Sequence, residues 1–232
     1  MRTLFIDLAS HQGLLACIDG EKVRASTPVD HRISDAELMP LLNEVLQAAS
    51  WSMKDIQRIA CVAGPGGFTS LRVAAAFTNA LSYALDIPVA GIHLSDLYAV
   101  RVSLTPSLPL SHGERGKGGE GFLWLHSTKK QELFVRGFGS YAEKFPEATH
   151  ISLADFLRDL SPLPACPERS RRVGEGTGVR VVGELIPDHE AEVSKKGGKR
   201  AELQPVESVL PTFVDSLVYE KKTLEPWYGR KW

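Results

Sequence analysis

The chain of 232 residues is 43% hydrophobic and 24% charged, and its 27 Lys and Arg against 28 Asp and Glu leave a formal net charge of -1. This composition fits one large or two small globular domains, and it excludes general disorder and any bulk electrostatic pull toward nucleic acid or an anionic membrane. Cys17, Cys61 and Cys166 stand singly, which indicates neither a disulfide framework nor a paired-cysteine metal site; with no leader pattern and no apolar run of membrane-spanning length, the expectation is a cytoplasmic protein without a membrane role.

In chain order, residues 4–8 read as a buried strand, 14–18 as a second and 21–26 as a third, with Asp19-Gly20 as the hairpin turn between the last two. Asp7 falls near the end of the first strand. Ser34-Asp35-Ala36-Glu37 is a capping-box pattern that starts a helix, and Leu38, Leu41, Leu42, Val45, Leu46 and Ala49 recur at helical spacing behind it. Pro40 lies in the first turns, where proline disrupts least. Residues 56–62 return as a strand.

A turn follows, Gly64-Pro65-Gly66-Gly67, and then Phe68-Thr69-Ser70-Leu71-Arg72 opens a helix expected over about 69–85, with Thr69 and Ser70 as its caps. Ala74, Ala75, Ala76, Ala80 and Ala84 make the helix small-faced, while Leu71, Phe77, Leu81 and Leu85 spread apolar surface over more than one side. One side is therefore expected to meet the sheet and another a second helix or a second protein. Residues 89–92 form a short strand and Ser95-Asp96-Leu97 begins another helix. Residues 1–103 thus run three strands, helix, strand, helix, strand, which is the element order of one half of a ribonuclease H-like or actin-like fold.

From residue 104 the texture changes. Glycine-rich, charged insertions near 111–121 and 167–178 interrupt a second lobe spanning 104–232. Strand patterns stand at 122–125, 132–138 and 179–182, a helix pattern at 153–160, and residues 194–200 read as a solvated loop. The fold class expected is α/β and actin-like, two-lobed with mixed sheets, the second lobe degenerate.

The chemistry-bearing residues leave two readings of the glycine turn. A glycine turn feeding a helix start exposes amides that can hold an anion, but the G-K-[ST] ending of a Walker loop is missing. An actin-like ATPase clamps its nucleotide with loops from both lobes, and only the first lobe offers candidates, Asp7 with Ser10. Independent ATP turnover is not expected. The alternative for Asp7 is a hydrogen-bonded strand-end carboxylate. His11, His31, His93, His112, His126, His150 and His189 show no metal-ligand spacing, and Cys61 in its apolar run reads as a buried, inert thiol. Three glycines and a proline exceed what a plain strand-to-helix connection needs, and a docking surface accounts for the excess: glycine admits a partner's backbone, and Arg72 offers it a fork of donors.

The same residues carry a resemblance. Gly64-Pro65-Gly66-Gly67-Phe68-Thr69-Ser70-Leu71-Arg72 resembles the G-P-G-S-F-T-G-L-R signature of the bacterial TsaB (YeaZ) family, with Gly67 and Ser70 substituted. Phe5-Ile6-Asp7-Leu8-Ala9-Ser10 is similar to the family's I-D-T-A-T/S, with Leu8 in place of threonine, Leu38-Met39-Pro40 to its L-x-P, and Ile87-Pro88-Val89-Ala90-Gly91 to its I-P-V-x-G. In the second half Val181-Val182-Gly183-Glu184 and the terminal Leu224-Glu225-Pro226-Trp227-Tyr228 match, while His126-Ser127-Thr128 displaces a D-A-R segment.

The resemblance implies a non-catalytic subunit of the complex that makes threonylcarbamoyladenosine on the tRNA base beside the anticodon. It implies a heterodimer with the catalytic paralogue TsaD, joined by the ATPase TsaE, and a homodimer when alone, with tRNA met only through the complex. No cofactor of its own is expected; ATP or ADP and a metal ion belong to the partner complex. The interface then comprises Gly64, Pro65, Gly66, Gly67, Phe68, Thr69, Leu71, Arg72, Ala75 and Ala76, with Asp7 and Ser10 nearest any nucleotide. The alternative is a stand-alone actin-like, ATP-dependent phosphotransferase acting on a small metabolite.

Overall fold

The computed structural model describes residues 1–30, 35–102, 121–160 and 178–229. They fall into two compact units, one of Met1–Arg101 together with the chain from Gln204 onward, the other of Val102–Leu203.

The first unit opens with β1 (Arg2–Asp7), β2 (Gln12–Asp19) and β3 (Lys22–Asp30), followed by α1 (Asp35–Ala48), β4 (Arg58–Gly64), α2 (Phe68–Leu85), β5 (Val89–His93) and α3 (Leu94–Arg101). The sheet order is β3-β2-β1-β4-β5. β1 is antiparallel to β2 and parallel to β4, and β4 is parallel to β5. Central strands covered on both faces need continuous apolar runs, which is why Leu4, Phe5 and Ile6 of β1 and Leu15, Ala16, Cys17 and Ile18 of β2 are all buried. Each large side chain among them contributes roughly 1.5–3 kcal/mol by leaving water. β3, at the edge, instead alternates exposed positions with half-buried ones and, at Val29, a buried one. Leu38, Leu42, Val45 and Leu46, the inward stripe of α1, close one face of this core. The serine of the expected capping box lies outside the described residues.

The second unit contains β6 (Phe122–Lys129), β7 (Glu132–Phe138), β8 (Thr149–Ser152), α4 (Leu153–Asp159), β9 (Val179–Glu184), α5 (Pro187–Lys195) and β10 (Gly198–Arg200). Its sheet order is β10-β9-β6-β7-β8, with β6 antiparallel to β7, β7 to β8, and β6, β9 and β10 parallel. Read from β8, this is the order and sense of the first sheet. The degeneracy lies in element length: α4 and α5 have 7 and 9 residues where α1 and α2 have 14 and 18. Among the described residues no helix is long and apolar enough to cross a membrane.

Two expectations require correction. Residues 194–200 are not a loop: they complete α5, turn at Gly197 with φ 89 and pair as β10 against β9. Nor does the second lobe run to the end of the chain. The helix α6 (Val206–Asp215) packs on α3, β2 and β3 of the first unit. The physical reason is a buried cation. Arg58 of β4 donates from Nε to Thr3 Oγ1 at 2.8 Å and from Nη2 to Asp215 Oδ1 at 2.9 Å, and its guanidinium lies 4.4 Å from the Tyr219 ring centroid. A charge at that depth needs such partners, and α6 and the residues after it supply them. The glycine-rich insertions, apart from Gly121 and Gly178, lie outside the described residues.

Candidate partner-docking site

The glycine turn joins β4 to α2, and the chain itself fills most of the space that its glycines leave. Gly64 has φ 141, and a Cβ there would run into the carbonyl oxygen of Trp227. The Gly64–Pro65 peptide is cis. A Cβ on Gly66 would lie 2.8 Å from the Cβ of Ala9 and 2.9 Å from its carbonyl oxygen. Only Gly67 is open: the nearest atom to its would-be Cβ is Ser70 Oγ at 3.4 Å. The glycine excess at 64 and 66 therefore answers to close contacts within the chain, not to a partner's backbone. Gly67, with φ -61 and ψ 131, is itself the N-cap residue, and Leu71 N donates to its carbonyl at 2.9 Å. Thr69 and Ser70, expected as caps, are already inside the first turn, because the extended residue falls at Gly67.

The helical period then divides the expected interface. Leu71 and Ala75, 1% and 5% exposed, face the core with Ala74, Thr78 and Leu81. Gly64 and Pro65 are buried too, and Gly66 is half-buried. Of these, Gly64, Pro65, Leu71 and Ala75 present almost no surface of their own. Gly67, Phe68, Thr69, Arg72 and Ala76 are exposed. Together with Leu38, Val73 and Phe77, four of them (Phe68, Thr69, Arg72 and Ala76) line an open groove of about 450 Å³ between α1 and α2. Its lining is unusually apolar for a surface: Leu38, Val73, Ala76 and Phe77 stand in it beside Phe68, which is 53% exposed. The Arg72 guanidinium lies 5.4 Å from the Phe68 ring centroid.

Sequence reasoning assigned no structural part to the terminal segment, which packs beside this face. Asn79 of α2 holds Leu224 by both main-chain groups: Nδ2 donates to the carbonyl at 3.0 Å, and Leu224 N donates to Oδ1 at 2.8 Å. Trp227 N donates to Ala63 O at 2.7 Å, and its ring meets His93 edge-on at 4.5 Å between centroids. Tyr228 lies against Phe68 at 5.1 Å. The signal was present in the sequence as an apolar, aromatic run at the chain end and a lone amide among the apolar residues of α2.

Asp7 and Ser10 do come together, at the end of β1. Asp7 is 3% exposed. Its Oδ1 accepts from Ala9 N at 2.9 Å and Ser10 N at 3.1 Å, and Oδ2 accepts from the Ser10 hydroxyl at 2.6 Å. Burial pushes the Asp7 pKa up, against the lowering pull of these hydrogen bonds and of the Arg101 charge. Both oxygens are thus engaged by the turn that packs under Gly66. Burial likewise pushes the thiols of Cys61 and Cys17 up to about 12, which leaves almost no thiolate at neutral pH.

In the second unit His189 is fully buried in a closed chain of bonds. Its Nε2 donates to Lys130 O at 2.8 Å, so Nδ1 accepts from Ser127 Oγ at 2.9 Å, and that oxygen accepts from Ile186 N at 3.0 Å. That is a structural histidine. Among the described residues no group of three or more His, Cys, Asp or Glu is placed to hold a metal ion; Cys166, His31 and His112 lie outside them.

Comparison with known proteins leads from this geometry to one class. Two solved structures from Pseudomonas aeruginosa share the fold along almost the whole chain. One is YeaZ, at TM-score 0.60 and 18% identity over 98% of this chain and 99% of that one. The other, described as an uncharacterized protein with similarity to peptidase YEAZ, has TM-score 0.61 and 18% identity over 99% of both. The fold is the actin-like α/β fold in the form that YeaZ takes, and the similarity to the TsaB (YeaZ) family read from residues 64–72 holds at that level. Residues 30–117 match the family model TsaD: tRNA N6-adenosine threonylcarbamoyltransferase. Over 72 residues the chain is 39% identical to enzymes of that name from Legionella pneumophila strains Corby and Lens, a stretch covering 31% of this chain and 22% of theirs. The chain therefore spans about a fifth of the length of these curated relatives.

Proposed function

We propose that this chain is a non-catalytic subunit of the machinery that forms threonylcarbamoyladenosine in tRNA, and that it binds and activates a TsaD-type transferase. The observation that carries the reading is the outward face of α2: an apolar groove shared with α1 through Leu38 and lined by exposed Phe68 and Ala76, with the Arg72 cation beside them. Such a face suits a helix laid into a groove, with a carboxylate on the partner meeting Arg72. The engaged Asp7 carboxylate supports a role other than nucleotide turnover. On this reading the ATP or ADP and the metal ion belong to the partner complex, TsaE joins that complex, and the chain pairs with itself through a similar surface when the transferase is absent. The near-neutral net charge of -1 fits a subunit that meets tRNA only through its partner.

The test is reconstitution. Purified transferase, TsaE, tRNA, ATP and a threonylcarbamoyl donor are assayed for modified tRNA with and without the chain. Modification that depends on the chain supports the proposal. Equal modification without it, or substrate-dependent ATP consumption by the isolated chain that Asp7→Ala abolishes, contradicts it and favours the phosphotransferase alternative.

A further inference from the structure

The residues that edge the groove are not held by α2 alone. Phe68 is its first residue, preceded by an exposed glycine without a side-chain cap, and its ring stands half in solvent. A helix start of this kind frays readily, since its first amides have no partner within the helix. The Phe68 ring lies 5.4 Å from the Arg72 guanidinium and 5.1 Å from the Tyr228 ring. Tyr228, in turn, follows directly on Trp227, whose amide is bonded to Ala63 and whose carbonyl takes the space above Gly64. Upstream the tail is pinned at Leu224 by Asn79, and further back Glu220 pairs with Val89 of β5 through two main-chain bonds, at 2.9 and 3.0 Å. Residues 220–228 thus run along β5, the outer strand of the first sheet, and end on the groove.

We propose that the segment 224–228 is a strap: Asn79 locks it down, and its closure holds the first turn of α2, and with it Phe68, in the position that forms the docking groove. Asn79 and Tyr228 are positioning residues, acting on the groove through the tail and the Phe68 ring. An amide side chain is chemically suited to the lock. It is the one side chain that offers a donor and an acceptor in the geometry of a peptide, so it grips a strand as a neighbouring strand does. The inference rests on the docking reading of the α1–α2 face, and it adds that the chain end controls that face.

The experiment uses the full chain and three variants, Asn79→Ala, Tyr228→Ala and Tyr228→Phe, with amide hydrogen exchange and transferase affinity as separate readouts. In Asn79→Ala the amides of Leu224 and Trp227 are expected to exchange at least tenfold faster, and those of Leu71 and Arg72 to follow, while β1 and β2 keep wild-type rates. Transferase affinity falls about tenfold in Asn79→Ala and Tyr228→Ala and is retained in Tyr228→Phe. Faster tail exchange with an unchanged first turn of α2 overturns the strap, and so does a tail that stays protected without Asn79. A loosened first turn with unchanged affinity overturns its link to docking. If the wild-type chain does not bind the transferase, the docking reading falls, and with it that link, while the exchange measurements still decide whether the tail holds α2.

Discussion

Gly64 and Trp227 share one space: the tail carbonyl of Trp227 sits where a side chain on Gly64 would begin, and Gly64 holds φ 141 to let it pass. The same turn meets Ala9 through Gly66 and leaves Gly67 open. A graded outcome follows for alanine substitution. Gly64→Ala combines backbone strain with a clash against main chain and is expected to cost about 3 kcal/mol or more. Gly66→Ala is expected to cost roughly 1–3 kcal/mol through overpacking, and Gly67→Ala about 1 kcal/mol, because alanine is a much poorer N-cap than glycine. Urea unfolding of the three variants checks the order.

Neighbouring residues of α2 are expected to respond in opposite ways. Ala76 is exposed and lines the groove, so Ala76→Arg should change stability by less than about 0.5 kcal/mol. Ala75 is buried against the sheet, and Ala75→Leu should cost roughly 1–3 kcal/mol. Thermal melts of both variants distinguish the outward from the inward face, and equal losses would show that the face has been assigned wrongly.

The Asp7 carboxyl gives a pH signature. Burial raises its pKa above the ordinary 3.8, so the folded chain holds that proton more tightly than the unfolded one. The stability this contributes is complete below the unfolded pKa and is lost as pH rises through the folded one. Asp7→Asn keeps an acceptor for Ala9 N and Ser10 N without the buried charge. It should therefore gain on the wild type as pH rises from 4 to 7, whereas Asp7→Ala, which leaves those donors buried and unmet, should lose at least about 2 kcal/mol. Urea unfolding at both pH values is the measurement, and a parallel pH dependence in wild type and Asp7→Asn would contradict it.

The two buried thiols should be silent. With their pKa pushed up to about 12, Cys17 and Cys61 hold on the order of one part in ten thousand as thiolate at pH 8. In a Cys166→Ser background a thiol reagent is expected to react only at the rate of unfolding. Rapid labelling of the native chain would show that one of them is accessible.

Much of the first unit was legible because its signals are local. β1, β2 and β4 are apolar runs, the latter two closed by Asp19-Gly20 and Gly64-Pro65, and α1 shows its inward stripe at helical spacing. What escaped lacks such a signal. β8 has four residues and none buried, β10 has three, and α5 buries only His189 and Val193. Pro205 and Pro211 obscure α6, although Leu210, Phe213 and Val214 form its inward stripe. The return of the chain end depends on pairs such as Asn79 with Leu224, 145 residues apart, which no window of local pattern contains. At the candidate site the glycine turn and the small-faced helix stood out at once. Their meaning shifted because the sequence does not say which side of α2 faces the sheet: Leu71 and Ala75 went inward, and Gly64 and Gly66 answered to Trp227 and Ala9.

The most direct measurement of the central claim is the affinity of the full chain for a TsaD-type transferase by titration calorimetry, wild type beside Ala76→Arg. A saturable complex with the wild type is expected, weakened at least a hundredfold in Ala76→Arg while the melting temperature of the variant stays at the wild-type value. No binding by the wild type under any nucleotide condition, or equal binding by both chains, would contradict the assignment of the α1–α2 face as the docking surface.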